Sequence, residues 1–164
     1  MQRGQLVEES LTHSVIGAFF AVYNTLGFGF LEHLYGMALE RELRARGHRV
    51  AREVGIRVFY KGDELGAQRL DMIVDDKLVV EIKSTYKLDG SAPRQVYNYL
   101  RATNLEVGLL LHFGPKATFY RLISGNTRND PLHPFNPQNP DTPSSWMPFR
   151  PTADRARPER NTPS

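Results

Sequence analysis

Cysteine is absent from this 164-residue chain, which excludes disulfides, thiolate zinc sites and cysteine nucleophiles. Long apolar runs are missing too: nothing approaches the ~18 consecutive apolar residues of a membrane span. The start, Met1-Gln2-Arg3-Gly4, leads into an amphipathic segment rather than the apolar stretch of a signal peptide. These absences give the expectation of a cytoplasmic protein with no membrane partner. An excess of charge is also lacking. A formal net charge of +3 is too small to argue for a nucleic-acid partner through bulk attraction. Proline is scarce over most of the chain, since nine of the eleven fall from Pro131 onward.

A hydrophobic content of 40% and a charged content of 24% fit one ordinary globular domain with a real core. The composition changes after Ser124. The repeated Asn-Pro and Asp-Thr-Pro steps deny a helix or a central strand. The expected organisation is therefore a folded domain over residues 1–124 and a Pro-rich, disordered tail over residues 125–164. Trp146-Met147-Pro148-Phe149 is the tail's only apolar cluster.

Within the domain, Leu11 to Leu26 reads as a helix, with Leu11, Val15, Ala18, Phe19, Val22 and Leu26 three or four apart. Gly27 and Gly29 free the backbone to turn at its end. Phe19, Phe20 and Tyr23 are expected in the core. A second helix runs from about Leu31 to Arg46, with Leu34, Ala38, Leu39 and Leu43 as its apolar stripe and Gly47 as its stop. A strand over Val50–Tyr60 turns at Lys61-Gly62-Asp63-Glu64 into a second over Leu65–Val74, where Gly66 suggests a bulge. Ser91-Ala92-Pro93 opens a third helix, with Ser91 as its cap, that reaches about Thr103. Val107–Phe113 is an apolar run that reads as a buried parallel strand, and Thr118–Ile123 as an edge strand.

The chemistry concentrates between Arg69 and Lys83, where two strands meet at Asp75-Asp76. Side chains alternate along a strand, so Val79, Glu81 and Lys83 share one face. Asp71, on the preceding strand, can lie across from them. Such a pair is often no more than a same-face ion pair. Charges set in a Val/Ile-rich strand, however, are costly to bury unless they are paired or bind a metal. Two hard oxygen ligands beside a cation suit Mg²⁺ or Mn²⁺. Glu32 sits in the first turn of the second helix, where the helix dipole favours an acid. It shares a face with Tyr35, whereas His33 is expected to point elsewhere. Gln95 and Tyr99 share one side of the third helix.

Asp71 followed by Glu81-Ile82-Lys83 resembles the core signature of the PD-(D/E)XK nuclease superfamily, with Leu70 in place of its proline. Gly29-Phe30-Leu31-Glu32-His33-Leu34-Tyr35 resembles the Gly-x-x-Glu-x-x-Tyr motif of its GxxExxY family. Gln95-Val96-Tyr97-Asn98-Tyr99 resembles the Gln-x-x-x-Tyr motif of RecB-type members. The run Val107–Gly114 resembles the closing strand, with His112 where Asn is expected. The resemblance implies an α/β (α+β) fold: a mixed β-sheet with a three-stranded meander flanked by helices, the restriction-endonuclease-like core of a bacterial nuclease. It implies that Asp71, Glu81, the backbone carbonyl of Ile82 and Glu32 hold Mg²⁺ or Mn²⁺. Lys83 and Gln95 would complete the catalytic set, with Tyr35 and Tyr99 in support. The implied partner is nucleic acid, DNA foremost, with a homodimer left open. A non-catalytic nucleic-acid-binding or protein-interaction module on the same fold is the alternative. A carboxylate-pair glycosidase would leave Lys83 unexplained.

Overall fold

The computed structural model describes residues 8–124. The proline-rich stretch with Trp146 and Phe149 lies outside the described residues. Helix α1 (Glu9–Leu26) and helix α2 (Glu32–Ala45) precede strands β1 (Val50–Tyr60), β2 (Asp63–Val74) and β3 (Leu78–Lys83). Helix α3 (Ala92–Thr103) and strands β4 (Val107–Phe113) and β5 (Ala117–Ile123) follow. The strands form one five-stranded sheet in chain order. Every pair is antiparallel except β3 and β4, which run parallel. A parallel step needs a long crossover, and α3 supplies it. This is the mixed α+β architecture expected from the element order.

The sheet is covered on both faces. Helices α1 and α2 close one core, in which Val15, Phe19, Leu39 and Leu43 meet Val80, Ile82, Leu109 and Leu111. Helix α3 closes the other, in which Val96, Tyr99 and Leu100 meet Leu70, Val79 and Leu110. Burial on both faces accounts for the apolar run of β4, which only His112 interrupts. The far half of β2, by contrast, is exposed along Asp63–Arg69, so the β1–β2 hairpin reaches beyond the helices.

The turn Asp75-Asp76 forms as expected. Both residues have positive φ, and the Lys77 N–H bonds to Val74 O at 3.0 Å, as a type I′ hairpin turn requires. The bulge suggested at Gly66 is present: Val58 pairs Gly66 and Phe59 pairs Glu64, which leaves Leu65 over. Three local expectations fail. Ser91 does not cap α3 through its side chain. Its hydroxyl instead donates to Asp89 Oδ1, a charged acceptor that also takes the Ser91 N–H at 2.7 Å. Leu34 points outward, and the inner face of α2 is made by Tyr35, Gly36, Leu39 and Leu43. Phe20 is exposed rather than in the core, its ring edge-on to Phe119 across 6.1 Å.

Candidate active site

The site forms where the sheet splits. Strands β2 and β3 stay paired only as far as Met72 and Val80. Beyond that point Asp71 and Glu81 lie in a fork. The Ile82 N–H donates to Asp71 Oδ2 at 2.7 Å, so a side chain replaces the missing strand partner. The neighbouring ladder is irregular at the same level. Arg52 pairs Met72 and Val54 pairs Leu70, with Glu53 left out between them at φ +50°. A non-glycine residue in the left-handed region costs of order 1 kcal/mol. That strain sits beside the carboxylates.

Glu81 and Lys83 share a strand face, as their spacing predicts. Lys83 Nζ donates to Glu81 Oε1 at 2.8 Å. The second oxygen, Glu81 Oε2, is buried with no partner. Burial and the charge of Asp71 push the Glu81 carboxyl up to about 7, although Lys83 opposes them. Burial likewise raises Asp71, against the pull of the Ile82 N–H and of Lys83. For Lys83, burial would lower the pKa, but contact with Glu81 and the nearby charges of Glu32 and Asp71 outweigh it and raise it. Lys83 therefore stays an ammonium.

Helix α2 brings Glu32 to the same place. Glu32 Oε2 accepts the Ser84 N–H at 3.3 Å, although the two are far apart in sequence. Tyr35 is fully buried, stacked on Phe113 with ring centroids 4.2 Å apart. Its hydroxyl donates to Gly27 O and accepts the Phe30 N–H. Tyr35 thus braces the loop that leads into Glu32. On the other face, Gln95 Nε2 donates to Tyr99 Oη at 2.9 Å, and Tyr99 donates to Arg69 O at 3.0 Å. Gln95 is turned onto Tyr99, which in turn holds the strand just before Asp71.

A cavity of about 380 Å³ opens between α2 and the fork, lined by Glu32, His33, Arg52, Glu53, Asp71 and Ile82, among others. His33, expected at the surface or in support of the site, is exposed and borders this cavity next to Glu32. Arg52 and Glu53 are further residues that sequence reasoning did not single out. Arg52 Nε is buried without a partner, and its nearest acid, Glu40, is 3.6 Å away. Gly36 makes room for it: a Cβ there would lie 2.7 Å from Arg52 Nη2. His112, in the position where Asn was expected, is buried, and its Nε2 is 2.7 Å from Thr85 O. A carbonyl only accepts, so Nε2 carries the proton. His112 therefore holds down the loop after Lys83.

Among the described residues, no three His, Cys, Asp or Glu side chains form a ready-made metal cluster. The donor set nonetheless fits a hard cation. A buried carboxylate oxygen without a partner, beside a second carboxylate, is the kind of ligand Mg²⁺ takes.

No curated protein matches the chain. Among solved structures, a protein designated SSO0001 is similar at 22% identity with a TM-score of 0.47. The match covers 74% of this chain and 61% of that protein. A family profile described as the PD-(D/E)XK nuclease superfamily matches residues 9–122, from the first turn of α1 to the end of β5. That span contains the strand fork and the Asp71–Glu81–Lys83 constellation, and the chain belongs to the PD-(D/E)XK nuclease superfamily.

Proposed function

We propose that this protein is a metal-dependent phosphodiesterase that cleaves nucleic acid, DNA foremost, in the manner of the GxxExxY family. One observation carries the proposal: Glu81 is 3% exposed with one oxygen unpartnered, beside Asp71 at the fork and bonded to Lys83. A buried carboxylate in that state is unfavourable unless something satisfies it.

Asp71, Glu81 and the carbonyl of Ile82 would hold Mg²⁺ or Mn²⁺, with Glu32 as a further ligand, direct or through water. When bound, such a cation lowers the pKa of a coordinated water and offsets charge on the phosphate. Lys83 supplies a second positive charge from the same strand face. Because it remains protonated, it orients the attacking water and stabilises the phosphate by donating hydrogen bonds rather than by taking a proton. Gln95 and Tyr99 act as positioning residues that fix the strand entering Asp71.

The test is cleavage of labelled single-stranded and duplex DNA and RNA in Mg²⁺, in Mn²⁺ and in EDTA. Cleavage should require the metal and disappear in Asp71→Asn. Binding of nucleic acid without metal-dependent cleavage would instead assign the non-catalytic module.

A further inference from the structure

Two loops joined to the site carry large aromatic side chains turned to solvent. Phe28 is 42% exposed, Phe30 46% and Tyr86 81%. They come from two loops that flank the catalytic strand, residues 27–31 before α2 and residues 84–91 after β3. Phe30 is two residues from Glu32, and Tyr86 is three from Lys83. The loops meet through their rings: Phe28 and Tyr86 lie edge to face, with centroids 6.3 Å apart and planes at 64°.

Neither loop hangs free. Gly27 and Gly29 have φ of +70° and +113°, which favours glycine there and fixes the turn. Tyr35 bonds to Gly27 O and to the Phe30 N–H. The other loop is pinned by His112 through Thr85 O and by Glu32 through the Ser84 N–H. Buried residues therefore hold these rings in water, although the interior lies close by. Rings held in advance lose little freedom on binding.

We infer that Phe28 and Tyr86, with Phe30 beside them, form a stacking platform for unpaired bases next to the scissile phosphate. The site would then take single-stranded or frayed nucleic acid in preference to continuous duplex. The inference rests on the nucleic-acid reading of the site. The surroundings favour nucleotides over an apolar protein surface. Lys83 and Lys87 are three and one residues from Tyr86 in the chain, and cations close in sequence to exposed rings suit phosphates and bases together. In a duplex the base faces are already stacked on each other, so only unpaired bases can reach such a platform.

The experiment measures binding of labelled single-stranded and duplex DNA in EDTA, by fluorescence anisotropy, for the full chain. Phe28→Ala and Tyr86→Ala should each weaken single-strand binding about five- to one-hundredfold, the range of one base stack. Duplex binding should change far less. Tyr86→Phe keeps the ring and should bind as the wild type does. Tyr60→Ala serves as the control, because Tyr60 is an exposed aromatic at the far end of β1. Unchanged single-strand binding in the alanine variants, or equal losses on both substrates, would overturn the platform. So would a wild type that sediments as a dimer and alanine variants that sediment as monomers, since the rings would then cover a second copy. Ring-dependent single-strand binding without metal-dependent cleavage would keep the platform and remove the nuclease reading. A wild type that binds no nucleic acid would remove both.

Discussion

Glu81 is the residue on which the site's energetics turn. Its ordinary value is 4.5, and in the metal-free protein burial and Asp71 push it up to about 7. A carboxyl raised on folding favours the folded state when protonated. Its contribution is fully present below the unfolded value and is lost as pH rises through the folded value. Without metal, wild-type stability should therefore fall between about pH 4.5 and about pH 7. Glu81→Gln has no proton to lose there and should melt higher than wild type at the upper end, while binding Mg²⁺ more weakly. Thermal melts in EDTA at both ends of the range, beside a calorimetric Mg²⁺ titration, measure this. Parallel pH profiles would show that Glu81 does not carry the strain. Lys83→Met should behave differently. Methionine keeps the unbranched stem, so Mg²⁺ binding should persist while single-turnover cleavage falls by ~10²–10³. Undiminished cleavage would reduce the pair to a strand ion bridge. Glu81 and Lys83 could be found from the sequence because strand parity sets which side chains share a face, and Asp71 because it lies on the preceding strand in the spacing of the family signature. Arg52, Glu53 and His33 could not. For Glu53 and Arg52 the place at the cavity goes with a left-handed residue in mid-strand and a glycine notch on a neighbouring helix, and for His33 with the placing of the first turn of α2; none leaves a pattern in the chain.

Among the elements, β3, β4 and α3 fix the site's geometry together. Each strand was readable because a short Val/Ile/Leu-rich run bounded by turn residues fits a buried strand. The parallel pairing followed from the helix between them. The sequence did not show how closely α3 approaches the sheet. Gly108 lies on β4 directly beneath α3, and a Cβ there would sit 2.6 Å from Val96 Cγ1 and 3.5 Å from Leu100. The helix carrying Gln95 and Tyr99 therefore rests on a missing side chain. Gly108→Ala should destabilise the protein by about 1–3 kcal/mol through overpacking, read by urea denaturation. It should also slow cleavage, because a displaced α3 carries Tyr99 away from Arg69 O. Unaltered stability would mean that the helix can shift without cost. Helix caps were the least legible feature. Ser91 holds the cap position by residue type, but its hydroxyl is taken by Asp89, a contact set by loop geometry.

At the scale of the molecule, the fork end of the sheet has a counterpart at the opposite end of β3. Ser14 Oγ lies 2.7 Å from His48 Nε2, and His48 Nδ1 lies 2.7 Å from Asp75 Oδ2. Asp75 Oδ1 accepts the Arg49 N–H at 2.8 Å. Serine, imidazole and carboxylate stand in series, as in a hydrolase. Ser14 is inside α1, however, where the helix's own hydrogen bonds occupy the N–H groups that would hold an oxyanion. The series is a tie: it joins α1, the α2–β1 loop and the β2–β3 turn, three segments distant in sequence. Nothing local in the sequence marks it, because it depends on the finished fold. Burial works to raise Asp75, but the Arg49 N–H and His48 outweigh it and hold the carboxyl below 3.8. A carboxyl depressed on folding contributes stability above its unfolded value, and that contribution is lost as pH falls through the folded one. Asp75→Asn should therefore cost about 1.5–3 kcal/mol at neutral pH, the range for hydrogen bonds to a charged group. The gap from wild type should close below about pH 4. Urea denaturation at several pH values measures it, with metal-dependent cleavage as the second readout. Cleavage per folded molecule should be unchanged, since the tie lies at the far end of the strand from Lys83. A loss of cleavage with stability intact would place Asp75 in the machinery of the site and not in the frame that holds it.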